Sequence, residues 1–317
     1  MNSAVCEPSE QGADPAPRQP PLRAWLQLVR LPNLFTVPGD PVAGACLAGA
    51  LVSIHALPQL LVAALAAVAV YAAGLVDNDL VDVGEDRAER PHRPLPAGTV
   101  SIRRARALRL LLFALPYLMA LALRMPAAWL LTHVALLANI LLYNRLKKRS
   151  PVAGALLMGL CRTLSMASGM VLAWTATGVT RWSLVALLPW WGYVTGISLL
   201  AMHETTRVPD ARRYLIILAP LAWVTMTGMP IAPALTRAAV AAAGSAGAVL
   251  ALDVVARLDR HSTPNDVPPA IGRLVRTMVP MQALCALATP GYGVVFALGL
   301  LLCWLLSERV SRRFYAS

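Results

Sequence analysis

Charged residues are scarce in this sequence. They make up 14% of its 317 residues, whereas a soluble globular domain usually contains about 25%. Hydrophobic residues make up 57%, and the mean hydropathy is +0.60. A membrane-spanning helix needs roughly 20 mostly apolar residues, and the sequence supplies many such stretches. One soluble core cannot contain them all, so lipid must surround most of the chain.

Cysteine is also rare, and its spacing is not that of a metal site. The five cysteines are scattered along the chain, at Cys6, Cys46, Cys161, Cys285 and Cys303. Four of them lie in apolar stretches and none belongs to a CxxC pair. We therefore expect these cysteines to be packing residues, with no disulfide or metal-binding role.

The first twenty residues lack the apolar core of a secretory signal. They are polar and rich in proline, which is typical of disordered segments. We expect residues 1–22 to form a disordered cytoplasmic tail and residues 23–317 to form a single transmembrane domain.

The apolar segments predict an all-α bundle of about nine transmembrane helices. The predicted spans run from Ala24 to Leu51, Leu57 to Val76, Ala107 to Leu123, Ala127 to Leu142, Val152 to Trp174, Leu184 to Met202, Tyr214 to Met229, Ile231 to Val255 and Met278 to Leu306. Pro32, Pro38 and Pro41 predict that the first span is broken. A broken helix is tolerated in a membrane where neighbours or a cavity satisfy its freed backbone groups, so we expect this span beside a site.

The basic residues predict the orientation in the membrane. The net charge is +12, but Lys and Arg lie between apolar spans and not on one soluble face, so we expect no nucleic-acid partner. If the amino terminus is inside, the even-numbered connections hold most of them, and the opposite connections hold only Arg124, Arg181 and Arg237. The even-numbered connections are therefore predicted to be cytoplasmic. With nine spans, a basic tail from Arg309 onwards is an exception, and an even number of spans is the alternative.

The most informative segment is an acidic cluster after the second span. Asp77 to Glu89 contains six of the sixteen acidic residues. If the helix continues, Asn78, Asp82 and Asp86 share one face, with Asp79 beside them. Such carboxylates repel one another unless a cation lies between them. Oxygen ligands suit Mg²⁺, which usually takes one or two carboxylates, several waters and phosphate oxygens of a substrate.

The arginines next to this cluster complete the pattern. Arg87 lies within the acidic segment and Arg90 and Arg93 follow it, and arginine is well suited to contact phosphate oxygens. A diphosphate that a metal bridges to carboxylates fits this mixture of signs. The alternative is a solvated loop in which the acids only offset the arginines.

The same residues resemble a known family. The first motif of the UbiA prenyltransferase superfamily is similar to Asn78-Asp79-x-x-Asp82-x-x-x-Asp86 followed by Arg90-Pro91-His92-Arg93-Pro94-Leu95-Pro96-Ala97-Gly98. Further pieces that resemble it are Arg30-Leu31-Pro32-Asn33, Tyr143-x-x-x-Lys147 and Gly159-Leu160-Cys161-Arg162. The resemblance covers most of the chain and implies nine transmembrane helices with cytoplasmic aspartate-rich loops.

The resemblance also implies a reaction. An isoprenoid group would leave a polyprenyl diphosphate as an allylic cation, protected from water, and a lipophilic acceptor, aromatic in most relatives, would capture it. The implied Mg²⁺ ligands are Asn78, Asp79, Asp82 and Asp86. The implied catalytic residues, which would neutralise the departing charge, are Lys147, Arg162 and Arg93. The implied substrate-binding residues are Asn33, Tyr143, Glu204 and Arg207.

The chain departs from the family at the second aspartate-rich motif. The corresponding segment is Ala201-Met202-His203-Glu204-Thr205-Thr206-Arg207-Val208-Pro209-Asp210. Few of these positions carry acids, so a second Mg²⁺ would be weakly held or absent. This altered motif resembles that of a bacterial branch encoded in eboshi-type clusters, which implies a bacterial inner membrane.

Two functions without prenyl transfer stay open at this point. The protein could bind or carry a polyprenyl or precursor lipid without turnover, since the second motif is degraded. It could also transport a small solute through the bundle, because charged residues within spans mark both kinds of pathway.

Overall fold

The computed structural model of the protein describes residues 21–49, 57–173, 184–202, 215–225, 234–258, 266–290 and 292–314. Within these ranges the secondary structure is helical and contains no strand. The helices are α1 (Pro21–Leu28), α2 (Leu31–Leu34), α3 (Gly39–Leu47), α4 (Leu57–Glu89), α5 (Ile102–Ala122), α6 (Ala127–Leu146), α7 (Pro151–Met170), α8 (Leu187–Ala201), α9 (Leu215–Thr225), α10 (Ala234–Arg257), α11 (Val267–Ala286) and α12 (Gly293–Phe314). The predicted all-α class is confirmed.

Several helices have the dimensions of membrane spans. Six helices in the described ranges, α4, α5, α6, α7, α10 and α12, are long and apolar enough to cross a membrane, and α8 and α9 are shorter apolar helices. The predicted break in the first span is present, because α1, α2 and α3 are separate short helices. A 3₁₀ turn at Val171–Ala173 extends α7.

The predicted single span from Met278 to Leu306 is wrong. α11 ends at Ala286 and α12 begins at Gly293. Pro290 lies in the turn between them, and a proline interrupts a helix because it lacks an N–H and its ring clashes with the preceding turn. When α1–α3 count as one, the described ranges contain ten helical segments, one more than predicted.

The tenth segment brings the basic end of the chain back to the acidic side of the bundle. Ser307 on α12 donates a hydrogen bond of 2.9 Å to the carbonyl of Pro32. Two residues before Pro32, Arg30 contacts Asp79 in the acidic segment. The basic end of α12 therefore lies at the same end of the bundle as the acidic segment and its neighbouring arginines.

Local sequence explains where α4 ends. The helix continues through the acidic segment to Glu89, and the amide of Arg90 closes its last turn on the carbonyl of Asp86 at 2.9 Å. Arg90 precedes Pro91, a position where the helical conformation is disfavoured. The acidic residues are consequently held on a rigid helix and not on a loop.

Glycines bring α3 and α7 into direct backbone contact. A Cβ on Gly44 would collide with the carbonyl of Met166, and a Cβ on Gly169 would collide with the carbonyl of Pro41. Small residues permit this approach, which is a common way of packing helices in membranes. The contact places the charged residue of α3, Asp40, against α7.

Candidate functional site

Three polar side chains at the end of α4 form a compact group. The amide nitrogen Nδ2 of Asn78 lies 3.2 Å from Oδ2 of Asp82 and 3.4 Å from Oδ1 of Asp79. The helical spacing predicted this neighbourhood, since residues one and four positions apart lie close on the surface of a helix. The group is only partly exposed, and Asp79 is buried.

Two lysines from the turn after α6 reach this group. The ammonium of Lys147 donates to Oδ1 of Asn78 and lies 2.5 Å from Oδ2 of Asp82. Lys148 lies 2.8 Å from the other oxygen of Asp82 and 2.7 Å from Glu85. Hydrogen bonds to Asp82 and Glu85 raise the pKa of the exposed Lys148 ammonium above its usual value. Lys148 is therefore held in its charged form beside the carboxylates.

Arginines contact the remaining acids of the cluster. Nη1 of Arg93 lies 2.9 and 3.1 Å from the two oxygens of the buried Asp86, and 4.0 Å from Asp79. Arg30, at the entry to α2, lies 3.4 Å from Asp79. The cluster thus joins Asp79, Asp82 and Asp86 to cations from three separate parts of the chain.

Asp77 belongs to a different set of contacts. Its carboxylate accepts hydrogen bonds of 2.7 Å from Arg109 on α5 and from Asn144 on α6. Both partners belong to neighbouring helices, so Asp77 fastens α5 and α6 to α4. Asp77 therefore stabilises the packing of helices and is not part of the cluster around Asn78.

An apolar cleft extends from the charged cluster into the bundle. It encloses about 620 Å³, part of it open, and lies between the breaks of the first span, at Arg30 and Val37, and the helices α4, α6 and α7. Its polar end is formed by Arg30, Asn78, Tyr143 and Asn144. Its apolar wall consists of Val37, Ala67, Val70, Leu75, Leu136, Ile140 and Met158. The cleft therefore has one charged end and one hydrocarbon-like end.

A second, polar cavity lies beside the same cluster. It encloses about 750 Å³, is open to the surroundings, and is lined by Leu26, Gln27, Arg30, Pro32, Asp79, His92, Arg93 and Pro94. Arg30 lines both spaces. Its backbone is left-handed, with φ 49° and ψ 58°, a conformation that is uncommon outside glycine and that occurs where strain serves a site.

Arg162 occupies the wall of the apolar cleft, but its charge is compensated. Its Nε lies 2.7 Å from Oδ2 of Asp40, and its Nη2 lies 3.1 Å from Oδ1 of Asp40 and 2.8 Å from the carbonyl of Thr36. Gln282 on α11 donates to the same Asp40 oxygen at 2.8 Å. All four residues are buried. Arg162 thus forms a closed ion pair inside the bundle, a partner that the sequence motif did not indicate.

The other residues singled out from the sequence have mixed locations. Tyr143 lines the cleft, and its ring centre lies 6.0 Å from the Lys147 ammonium. Asn33 is half-buried on α2 and is not among the lining residues of either cavity described above. Glu204 and Arg207 lie outside the described residues, as does the rest of the altered second motif from His203 onwards.

The oxygen groups at the end of α4 suit a divalent metal whose remaining ligands come from a substrate. In the described part of the chain, no three Asp, Glu, His or Cys side chains form a metal cage by themselves. Mg²⁺ seldom needs one, because it usually takes one or two carboxylates and completes its shell with waters and phosphates. Asp79 and Asp82, next to the Asn78 amide, are a donor set of that kind.

Comparison with known sequences identifies the family. Residues 41–266 match the UbiA prenyltransferase family, and this stretch is more than half of the chain. The protein belongs to the UbiA prenyltransferase family. The matching stretch includes the α4 cluster, the two lysines and the Arg162 segment, so the family assignment and the site geometry concern the same residues.

Individual relatives of this UbiA-family chain match over shorter stretches. The chain is 30% identical to a digeranylgeranylglyceryl phosphate synthase of Saccharolobus solfataricus over 151 residues, 47% of this chain and 51% of that protein. It is 43% identical to a protein of the same name from Ignicoccus hospitalis over 101 residues, 32% of each. The matched stretch thus spans about half or less of these relatives' length.

Two solved structures share the fold. A structure of digeranylgeranylglyceryl phosphate synthase aligns with a TM-score of 0.58 and 16% identity, over 89% of this chain and 99% of that one. A ligand-free UbiA homologue from Aeropyrum pernix K1 aligns with a TM-score of 0.60 and 18% identity, over 84% and 98%. The family fold therefore extends across most of the present chain.

Three site residues of this UbiA-family protein received no role from the sequence. Arg30 was part of a family-like motif, but its bridging position depends on the break between α1 and α2. Tyr71 lines the cleft with its ring centre 5.9 Å from the Arg162 guanidinium, and its signal was its position two turns before Asn78 on one face of α4. Gln282 is an uncharged residue in an apolar helix and left no distinct signal.

Proposed function

We propose that the protein is an intramembrane prenyltransferase that moves an isoprenoid group from an allylic diphosphate to a lipophilic acceptor. One observation carries the proposal: the apolar cleft ends on Asn78 and Arg30, beside the acids and lysines of the cluster. A ligand that fits this division has a hydrocarbon tail and a strongly anionic head. A prenyl diphosphate is such a molecule.

The charged residues at the cleft mouth would bind and activate the diphosphate. Prenyltransferases of this family generally depend on a divalent metal. In this chain Asn78, Asp79, Asp82 and Asp86 would hold Mg²⁺, which would neutralise the charge of the diphosphate. Lys147 and Arg93 would then donate hydrogen bonds to the leaving group. Preorganised cations of this kind stabilise developing negative charge strongly in a site that excludes water.

The aromatic residues of the cleft would stabilise the other product of bond cleavage. When the C–O bond of the donor breaks, its electron pair leaves with the diphosphate and an allylic cation remains in the cleft. Tyr71 and Tyr143 both line that space, and aromatic faces attract cations. Because Asp40 neutralises the charge of Arg162, the Arg162 side chain would not repel the cation.

The polar cavity would receive the head of the acceptor. It contacts the cleft at Arg30 and also presents Arg93 and His92, which suits an anionic head. The named relatives act in making a glyceryl phosphate lipid, and we favour an acceptor of this type over an aromatic one. Its hydroxyl oxygen would form the new C–O bond, and the departing diphosphate would take the proton.

The membrane placement follows the charge pattern. We propose that the acidic end of α4 faces the cytoplasm of a bacterial cell, because the described basic segments at residues 87–93 and 145–149 lie at that end. A cytoplasmic site would draw soluble diphosphate donors directly from the compartment that makes them.

Purified protein in lipid nanodiscs tests the function. The reaction would contain Mg²⁺, an allylic diphosphate and either an isoprenyl glyceryl phosphate or a phenolic acceptor, and released diphosphate and prenylated product would both be measured. We expect both signals to require Mg²⁺. If prenyl diphosphate binds but no diphosphate is released with either acceptor, the protein is instead a noncatalytic lipid-binding protein.

A further inference from the structure

The apolar cleft has a deep end on the side away from the charged mouth. The residues of α4 that line it follow one helical stripe from Asn78 through Leu75, Gly74, Tyr71 and Val70 to Ala67. On α6 the corresponding stripe runs from Asn144 to Leu136, and on α7 it ends at Ser165. Ala67, Leu136 and Ser165 are therefore the deepest lining residues on the three long helices.

A stacked pair of large side chains follows the deep end on α6. His133 and Trp129 lie about one and two turns beyond Leu136, on the same stripe of the helix. Their ring centres are 3.6 Å apart, and both residues are buried, with 1% and 0% exposed surface. Trp129 shares one buried cluster with Ala63 and Ala66 of α4. Trp129 therefore belongs to the packed part of the bundle beyond the deep end of the cleft.

Hydrogen bonding indicates that this pair is not simply a stabilising core. Nδ1 of His133 lies 3.3 Å from the carbonyl of Trp129, but Nε2 of His133 and Nε1 of Trp129 have no hydrogen-bond partner among the described residues. Buried polar atoms without partners destabilise a protein. Phenylalanine or leucine would fill a similar volume without that loss, so packing alone does not explain why these positions carry histidine and tryptophan.

The length of the cleft indicates a role for the pair. Eleven positions of α4, from Ala67 to Asn78, span about 16 Å at the rise of an α-helix. Three bonds of an extended chain advance roughly 3.5 Å, so the four bonds of an isoprene unit advance about 5 Å. The cleft therefore matches a tail of about three isoprene units.

We propose that the stacked Trp129 and His133 rings form the floor of the cleft and set the longest prenyl chain that the protein accepts, about three isoprene units. This inference rests on the proposed function and names its donor class as farnesyl-sized diphosphates. A longer tail meets the floor, so its diphosphate does not reach the charged cluster at the mouth.

Floor variants test the proposal in nanodiscs with geranyl, farnesyl and geranylgeranyl diphosphate. The measurements are donor affinity, by competition, and kcat/KM for diphosphate release. We expect Trp129→Ala and His133→Ala to raise the geranylgeranyl-to-farnesyl ratio of kcat/KM by on the order of tenfold or more, as expected when a pocket gains room for several carbons. Trp129→Phe and His133→Phe are the matched controls, which keep the floor and should keep the wild-type ratio.

A substitution in the opposite direction keeps the test decisive if the alanine variants fold poorly. Ala67→Leu adds bulk at the deep end and should lower farnesyl use relative to geranyl, again on the order of tenfold. Leu65→Phe, at an exposed position of the same helix, should leave the ratio unchanged.

Two results separate the possible failures. If the wild type neither binds nor turns over any of the three donors, the proposed function fails. If it uses them but the ratios stay unchanged in Ala67→Leu and in the folded floor variants, the enzyme reading stands and the floor proposal is overturned.

Discussion

Arg162 on α7 and Asp40 on α3 form a buried ion pair with an Nε–Oδ2 distance of 2.7 Å. The two residues are separated by 122 positions in the sequence, and both are buried, with side chains that are 5% and 0% exposed. The pair connects the broken first helix to the wall of the apolar cleft.

Removal of Asp40 should destabilise the protein strongly. Asp40→Leu leaves Arg162 charged and unpaired inside the bundle, which typically costs about 3–5 kcal/mol. The double variant Asp40→Leu with Arg162→Met should recover most of this loss, because apolar pairs often replace buried ion pairs at little cost. Thermal unfolding in detergent measures both. A double variant no more stable than the single would contradict the assignment of the pair.

Two neighbouring acids of α4 should behave differently. Asp79→Asn should abolish Mg²⁺-dependent binding of a prenyl diphosphate with a melting temperature close to that of the wild type. Asp77→Asn should lower the melting temperature, because it weakens the contacts with Arg109 and Asn144, while the folded fraction still binds the donor. Calorimetry and donor binding on the same preparations check this. Equal loss of donor binding in both variants would show that Asp77 and Asp79 do not have the separate roles described above.

The two lysines after α6 provide a second matched pair. Lys147 is 17% exposed and contacts both Asn78 and Asp82, whereas Lys148 is 42% exposed and reaches the outer edge of the cluster. We expect Lys147→Ala to reduce kcat by about 10²–10³, the usual loss for one preorganised donor. Lys148→Ala should change kcat by only a few-fold, because exposed ion pairs contribute little. Similar rates for the two variants would show that proximity to Asn78 has no catalytic effect.

The membrane topology that follows from ten helical segments can be tested by the accessibility of single cysteines to a labelling reagent. Single cysteines at Glu85, Arg312 and Arg124, all exposed positions, would be labelled in oriented vesicles with a membrane-impermeant maleimide, in a background without the native cysteines. We expect Glu85→Cys and Arg312→Cys to react from one side and Arg124→Cys from the other. Labelling of Arg312→Cys together with Arg124→Cys would restore a nine-span arrangement.

Much of the site could be predicted because its central group is local. Asn78, Asp79 and Asp82 come together through helical spacing alone, and Pro91 predicts where their helix ends. The breaks in the first span could also be predicted, since they coincide with prolines. These features require no knowledge of which helices are neighbours.

The remaining features depend on contacts between distant helices. No local pattern links Asp40 to Arg162 or to Gln282, although two charges in apolar spans indicate that each needs a partner. The turn between α11 and α12 was missed because apolar residues flank it on both sides, so that hydropathy outweighed the signal of Pro290. The roles of Glu204 and Arg207 remain predictions.

The hydrogen bond from Ser307 to Pro32 joins α12 to α2. Contacts between such distant positions form late, because the intervening chain must first be ordered. During biogenesis the earlier helices can enter the bilayer one after another, but α2, which begins directly after Arg30, gains its contact with α12 only once that helix has been inserted. We therefore expect a nascent chain that still lacks α12 to hold Arg30 less firmly at the mouth of the cleft.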